Sequence, residues 1–138
     1  MSIKDFAEKF IKAEDEAWQK GNCDALEKLE DPNVVYHMSA PFGEVVGFEV
    51  HKQQILGNRM VASEIKQDWK YLIGEGNLFA MGYKSRVISN GKVPGFPPAG
   101  KEITNDGLFL FHMKNGKIIE AWYNGTVTGL DLQVYLKK

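Results

Sequence analysis

The sequence predicts an α+β fold in which helices come first along the chain and an antiparallel sheet follows. Apolar residues recur at helical spacing from Ile3 to Trp18, whereas from Lys66 onward they alternate as they do in strands. Asn115 and Gly116 lie between two alternating segments, and a type I′ hairpin turn favours this pair because both central residues need positive φ. Helices and strands that are segregated along the chain in this way are typical of the α+β class.

The first predicted helix has clear signals at both ends. Ser2 is a suitable N-cap, and Gly21 is suited to the left-handed residue that ends a helix. Weaker signals, such as Pro32 and the Gly-rich turns, delimit the other elements. These elements are a helix over 24–30, a strand over 34–38, a turn over 43–47, a helix over 49–62 and strands over 66–73, 78–88, 102–113 and 118–128.

Length and composition exclude several classes of function. The 138 residues suit a single domain over 1–138 with one core and room for a cavity. A formal net charge of -1 does not favour binding to nucleic acid or to an anionic membrane surface, and no apolar run is long enough to span a membrane. Cys23 is the only cysteine and no signal peptide is evident, so we expect a cytoplasmic protein without disulfides.

The predicted strand over 102–113 carries apolar residues on both faces. Phe109 and Phe111 alternate with Leu108 and Leu110, so neither face is simply solvated. The helices can cover only one face of the sheet. A second subunit on the other face is the economical arrangement, and we therefore expect a homodimer.

A resemblance to a known family extends over nearly the whole chain. It is carried by GNCDALEKLEDPNVVYHM near the start, GEGN in the middle, and GFPPAGKEI and FHMKNGKIIEAWYNGTVTGL toward the end. In this order, the segments resemble the SnoaL-like polyketide cyclases of the NTF2-like superfamily. The resemblance implies an NTF2-like cone, in which a curved antiparallel sheet wraps around the N-terminal helix and encloses an apolar cavity. It also implies a dimer formed through the outer face of the sheet.

The same resemblance implies proton transfer next to a carbonyl group, by an acid or base whose pKa is tuned by burial. It places such acids on three strands, where this sequence instead carries Met38, Phe109 and Tyr123. Either another residue supplies the acid–base chemistry, or the protein binds a ligand without changing it.

Glu14 is the best remaining candidate for this chemistry. It lies on the apolar stripe of the first helix, one turn from Phe10 and Trp18, and its position resembles that of a cavity-lining tyrosine in the superfamily. Two placements stay open at this point. Glu14 faces the cavity as an acid or base, or it lies at the edge of the stripe and reaches solvent.

The predicted site combines two catalytic candidates, Glu14 and Tyr123, with a wall for a small apolar or aromatic ligand. The predicted wall residues are Trp18, Tyr36, Met38, Asn105, Phe109 and Phe111. The histidines His37, His51 and His112 lack the spacing of metal ligands, and no glycine-rich phosphate loop precedes a helix, so neither a metal nor a cofactor is expected.

Three functional hypotheses remain open from the sequence. The first is an enzyme that acts on a small cyclic or polyketide-like carbonyl compound, with isomerase, cyclase or dehydratase-type chemistry. The second is a non-catalytic ligand-binding or accessory dimer on the same fold. The third is an interaction module whose cone is filled by the aromatic side chains.

Overall fold

A computed structural model describes residues 1–39 and 43–130 of the chain. Helices lead and the long strands follow, as predicted. The helices are α1 (Ile3–Lys20), α2 (Asp24–Leu29) and α3 (Phe48–Val61). The strands are β1 (Glu30–His37), β2 (Glu44–Val46), β3 (Ala62–Glu75), β4 (Leu78–Ser89), β5 (Glu102–Lys114) and β6 (Lys117–Thr128).

Both predicted caps of α1 are present. The Asp5 backbone N–H donates a hydrogen bond of 3.1 Å to the Ser2 hydroxyl oxygen. At the other end, Gly21 has a φ of 75° and donates from its backbone N–H to the Ala17 carbonyl at 2.9 Å. The helix therefore begins and ends where its sequence signals place it.

The six strands form one sheet in the order β2-β1-β6-β5-β4-β3. Four neighbouring pairs are antiparallel, and β1 runs parallel to β6. The sheet is not closed, because β2 and β3 are its two edges. α1 packs against β3 and β4, and α3 packs against β1, β2 and β3, so the helices cover the concave face. The predicted α+β cone around the N-terminal helix is confirmed.

The predicted hairpin between β5 and β6 is also confirmed. Asn115 and Gly116 have φ values of 54° and 76°, as a type I′ turn requires. Inward and outward residues alternate along β5 as predicted: Phe109 and Phe111 are buried, whereas Leu108 and Leu110 are 57% and 40% exposed in the single chain.

Several predicted boundaries were wrong by one or more residues. The predicted turn over 43–47 contains the short strand β2, which pairs with β1 and forms the edge of the sheet. β1 begins at Glu30 rather than Val34, because the pairing with β6 starts at Glu30 and resumes at Val35 after an irregularity. Pro32 lies within that irregularity, where the absence of an N–H donor breaks no regular pair.

An aromatic layer lies at the centre of the core. Phe111 is fully buried, and its ring centroid is 4.8 Å from that of Phe79 and 5.0 Å from that of Phe10. This layer fills the part of the cone nearer the β5–β6 turn. The part of the cone farther from that turn contains the cavity described in the next subsection.

Among the described residues, no helix is both long and apolar enough to cross a membrane. The cytoplasmic location stays a prediction.

Candidate active-site cavity

A cavity of about 320 Å³ lies between α1, α3 and the concave face of the sheet. Phe96, from the Pro-rich segment after β4, contributes to its wall. Seven of the eight predicted site residues line it: Glu14, Trp18, Tyr36, Met38, Asn105, Phe109 and Tyr123. Phe111, the eighth, is not among the lining residues, because it packs in the aromatic layer behind Phe109. The cone is therefore not completely filled.

Glu14 faces this cavity rather than solvent, and its side chain is 3% exposed. The Trp18 indole N–H, one turn further along α1, donates a hydrogen bond of 2.7 Å to Glu14 Oε2. Burial and the negative charge of Glu30 raise the pKa of Glu14 to about 7, although His51 and the Trp18 hydrogen bond act in the opposite direction. A carboxyl group with such a pKa can both take up and release a proton near neutral pH.

His51 is a second titratable group in the cavity wall. It lies in the first turn of α3, and Glu30, the first residue of β1, comes directly after α2. The His51 Nδ1 atom is 3.0 Å from Glu30 Oε1, and the His51 Nε2 atom is 3.9 Å from Glu14 Oε1. Burial lowers the pKa of His51, but the charge and hydrogen bond of Glu30 and the charge of Glu14 outweigh it and raise that pKa to about 9.

Glu14, Glu30 and His51 together have the chemistry of metal ligands, and they offer atoms within 4.8 Å of one another. The two carboxylates, however, lie next to different nitrogens of the His51 ring. One oxygen of each carboxylate nevertheless lies within 4.8 Å of the other and of one ring nitrogen. Protons shared among the three groups and a bound cation are both compatible with this geometry, and the ZnCl₂ titration described below distinguishes them.

The sheet wall of the cavity presents neutral polar groups and aromatic rings. The Tyr123 hydroxyl donates to Asn105 Oδ1 at 3.3 Å, and the Gln67 amide donates to the Tyr83 hydroxyl at 2.7 Å. Burial, and to a lesser degree Asp106, raises the pKa of Tyr123 to about 12, so its hydroxyl stays protonated.

Three buried polar atoms on the sheet wall have no hydrogen-bond partner in the described structure. They are the Tyr36 hydroxyl, the Gln67 Oε1 acceptor and the Trp69 Nε1 donor, and all three residues line the cavity. Unpaired buried polar atoms are costly, so a ligand or a water molecule that bonds to them would be stabilised there.

Two glycines make room for the Tyr123 side chain. Gly107 and Gly125 are directly opposite each other on β5 and β6, in a regular part of the ladder. A Cβ atom at either position would overlap the Tyr123 hydroxyl. The sequence suggests a bulge or a close approach to a ligand at Gly125, whereas the structure shows a close approach by the Tyr123 side chain in a regular part of the ladder.

His51 and Glu30 are the titratable site residues that the sequence did not indicate; Gln67, Trp69 and Tyr83 of the sheet wall were not predicted either. His51 begins a predicted helix and lacks the spacing of a metal ligand, so the sequence assigned it no role in the site. Glu30 was expected at the end of a helix. Neither has a local signal, since the three titratable residues come from α1, the start of β1 and α3 and meet only in the folded chain.

The curved, unclosed sheet wrapped around α1 defines a fold of the NTF2-like class. The sequence profile of the SnoaL-like polyketide cyclase family matches residues 8–133, and the chain therefore belongs to this family. No protein of curated function matches the sequence significantly.

Solved structures with the same fold cover almost the entire chain. AclR of Streptomyces galilaeus, a candidate hydroxylase, is 17% identical with a TM-score of 0.72, and the match covers 99% of each chain. IdmH of Streptomyces antibioticus, a candidate polyketide cyclase, is 18% identical with a TM-score of 0.71 over 98% of each chain. A candidate polyketide cyclase of Acidithiobacillus ferrooxidans is 23% identical with a TM-score of 0.69, over 99% of this chain and 98% of the other. Identities this low establish the fold alone.

Proposed function

We propose that the cavity binds a small, mainly apolar carbonyl compound, cyclic or polyketide-like, and that Glu14 moves a proton next to its carbonyl group. The reaction is of the isomerase, cyclase or dehydratase type. The observation that carries this proposal is the buried Glu14 carboxyl group in an apolar cavity, with a pKa raised to about 7. Membership of a polyketide cyclase family supports the same substrate class.

The size and lining of the cavity support a small ligand. About 320 Å³ is at the lower end of the volumes typical of small-molecule sites. Trp18, Phe109 and Met38 offer apolar contact to a ring system. Tyr123 and Tyr36 are neutral hydroxyl donors on the same wall, and in this proposal they orient the substrate carbonyl.

Deuterium exchange tests the proposal without knowledge of the natural substrate. A panel of cyclic 1,3-diketones, cyclic enones and short polyketide-like ketones is incubated with the protein in D2O. The loss of α-proton signals is then followed by ¹H NMR. We expect accelerated exchange for at least one compound, and a rate that falls on the order of 100-fold or more in Glu14→Gln, because general acid–base catalysis typically contributes that much.

Glu8→Gln is the matched control. Glu8 is an exposed residue of the same helix, so its replacement changes the charge of α1 without reaching the cavity. Full activity in Glu14→Gln, on a compound that the wild type turns over, would show that Glu14 is not the proton-transfer group.

A second candidate function is ligand binding without catalysis. It is favoured by the sheet wall, where Met38, Phe109 and Tyr123 occupy the positions at which the family resemblance places acids. In this case fluorescence titration of the cavity tryptophans would detect binding of ketones, while no compound of the panel would exchange faster than in buffer. Enzyme-dependent exchange of any compound would exclude this candidate.

We also propose a homodimer through the outer face of the sheet. Leu108, Leu110 and Trp122 are exposed on adjacent strands β5 and β6 and form an apolar patch on that face. Light scattering after size exclusion should give twice the chain mass for the wild type and the monomer mass for Leu108→Glu. The exposed Lys114→Glu, at the end of β5, is the charge control. A monomeric wild type would refute the dimer.

A further inference from the structure

We propose that His51, oriented by Glu30, is a second proton-transfer group of the cavity, and that the ligand carries an oxygen that becomes negative beside the carbon deprotonated by Glu14. This inference rests on the proposed function and narrows its substrate class to enolisable ketones and related enols and phenols. It also assigns a role to the buried Glu30 and the partly buried His51, which the predicted site did not contain.

The geometry fixes the direction of the His51 ring. Its Nδ1 atom is hydrogen-bonded to Glu30 Oε1 at 3.0 Å, and its ring centroid lies 4.6 Å from that of Tyr36 and 6.2 Å from that of Phe48. These contacts leave Nε2 as the nitrogen available for chemistry. Its nearest carboxylate oxygen, on Glu14, is 3.9 Å away, which is too far for a hydrogen bond. Among residues 1–39 and 43–130, this Nε2 atom therefore has no acceptor within hydrogen-bond distance, and the ring lies at the wall of the cavity.

Glu30 acts through His51 rather than on the ligand. Its side chain is fully buried, and it does not line the cavity. A carboxylate that accepts a hydrogen bond from Nδ1–H selects the neutral tautomer whose Nε2 can take up a proton. It also stabilises the imidazolium, which carries a proton on both nitrogens and can donate the one on Nε2. Glu30 is therefore a positioning residue.

The groups that face His51 support a charged imidazole. Glu14 approaches it from α1, and Glu30 and Tyr36 approach it from β1. Tyr36 is neutral, because burial and the nearby carboxylates of Glu30 and Glu14 raise its pKa further above the usual value. With two carboxylates beside one imidazole, the protonated ring is the favoured state near neutral pH.

The proposed step is balanced within the site. Glu14 takes the proton from the carbon next to the carbonyl group, and the electron pair of the broken C–H bond forms a C=C bond. The carbonyl π electrons move to oxygen, which receives the Nε2 proton of His51. The products are an enol, a neutral His51 and a protonated Glu14, and return of the two protons regenerates both groups. No oxidant or further reactant is required.

4-Nitrophenol is a suitable probe, because its phenol and phenolate forms absorb at different wavelengths and its oxyanion resembles an enolate. The titration is made in Glu14→Gln, where the competing charge of Glu14 is absent. We expect the bound probe to ionise about one pH unit below the free probe, which corresponds to roughly tenfold tighter binding of the phenolate. Adding His51→Gln should abolish the shift, and adding Glu30→Gln should reduce it.

His112→Gln and Glu27→Gln serve as controls. His112 is a half-buried residue of β5 outside the cavity, and Glu27 is an exposed residue of α2. In the same background both should keep the full shift. If His51→Gln does not fold, ¹⁵N NMR of the imidazole groups in the folded wild type and in Glu30→Gln replaces it. The His51 ring should be protonated at pH 7 in the wild type and should titrate at lower pH in Glu30→Gln.

Three results would overturn this inference. The first is a probe that does not bind, or that binds to Glu14→Gln as the phenol. The second is a His51 ring that titrates at its ordinary pH in the wild type. The third is a rise in the melting temperature of the wild type, but not of His51→Gln, on addition of one equivalent of ZnCl₂. That rise would show that Glu14, Glu30 and His51 form a metal site. None of these results depends on turnover, whereas loss of the proposed function would appear as unchanged deuterium exchange in Glu14→Gln.

Discussion

The helix side and the sheet side of the cavity differ in chemistry. Among the described lining residues, the carboxyl and imidazole groups, Glu14 and His51, come from α1 and α3. The sheet contributes amides, hydroxyls and aromatic rings, such as Asn105, Tyr123 and Phe109. The resemblance to polyketide cyclases places acids on the strands, so this chain carries its titratable groups on the opposite wall.

Under the proposed function, this difference gives the two walls separate roles, proton transfer on the helix side and substrate binding on the sheet side. A buried carboxyl group and a partly buried imidazole have pKa values that burial and neighbouring charges can shift, which suits proton transfer near neutral pH. The tyrosine hydroxyls of the sheet wall stay protonated near pH 7, because burial raises the pKa of Tyr83 and Tyr123. The sheet wall can hold an apolar ring and hydrogen-bond a polar substituent. Each of the changes below alters one wall and leaves the other intact.

The largest effect on stability is expected from Glu30→Gln, on the helix side. The change removes the buried partner of His51 and leaves that imidazole next to a neutral amide. Loss of one member of a buried ion pair costs roughly 3–5 kcal/mol in the free energy of unfolding. Urea unfolding at pH 7 measures it, with the exposed Glu27→Gln as a control that should stay within about 0.5 kcal/mol of wild type. Equal stability of both variants would mean that the Glu30–His51 contact contributes little.

The next effect concerns the pH dependence of Glu14. The pKa of Glu14 rises from the usual 4.5 to about 7 in the folded chain. The contribution of Glu14 to the free energy of unfolding is therefore fully present below pH 4.5 and is lost as the pH rises through 7. Glu14→Gln has no carboxyl group at this position and does not lose stability in this way. Between pH 5 and pH 8, its stability relative to wild type should therefore increase on the order of 2 kcal/mol, as measured by urea unfolding at both pH values. Parallel curves for the two proteins would show that Glu14 ionises as it does in solvent.

The fold was largely predictable because its signals are local. The Ser2 and Gly21 caps, the Asn115-Gly116 turn and the alternation along β5 each lie within a few residues of the element that they define. The short strand β2 was not predictable, because its three residues form a strand only through pairing with β1.

The site was predictable only in part on either side. On the sheet side the prediction contained Asn105, Phe109 and Tyr123 but not the lining residues Gln67, Trp69 and Tyr83 of β3 and β4. Glu14 could be identified as a candidate from its place on an apolar stripe, but the stripe alone left the edge of the helix open as an alternative. His51 and Glu30 required the tertiary structure, because 21 residues separate them along the chain and they lie on different elements. Alternation likewise places Phe111 on the inner face of the sheet, but it does not determine whether the ring lines the cavity or packs in the core.

On the sheet side, Gly125→Ala should have an intermediate effect. The added methyl group would overlap the Tyr123 hydroxyl and the Asp106 carbonyl, so the tyrosine must leave its place on the strand. We expect a loss of about 2 kcal/mol in stability, typical of overpacking, and weaker ligand binding. Gly82→Ala on β4 is the matched control, because its nearest neighbour beyond the adjacent residues is the Lys70 Cβ atom at an ordinary 3.8 Å. Similar losses in the two variants would exclude a specific clash with Tyr123.

The smallest effect is expected from Tyr123→Phe, which keeps the ring and removes only the hydroxyl bonded to Asn105 at 3.3 Å. If the sheet wall only holds the substrate, KM should rise about five- to tenfold, which corresponds to one hydrogen bond of about 1 kcal/mol, while kcat stays near wild type. Steady-state deuterium exchange over a range of ketone concentrations separates the two constants. A fall in kcat on the order of 100-fold at unchanged KM would instead make Tyr123 a proton donor in the reaction. The chemical difference between the two walls would then not be a division of labour, because both would transfer protons.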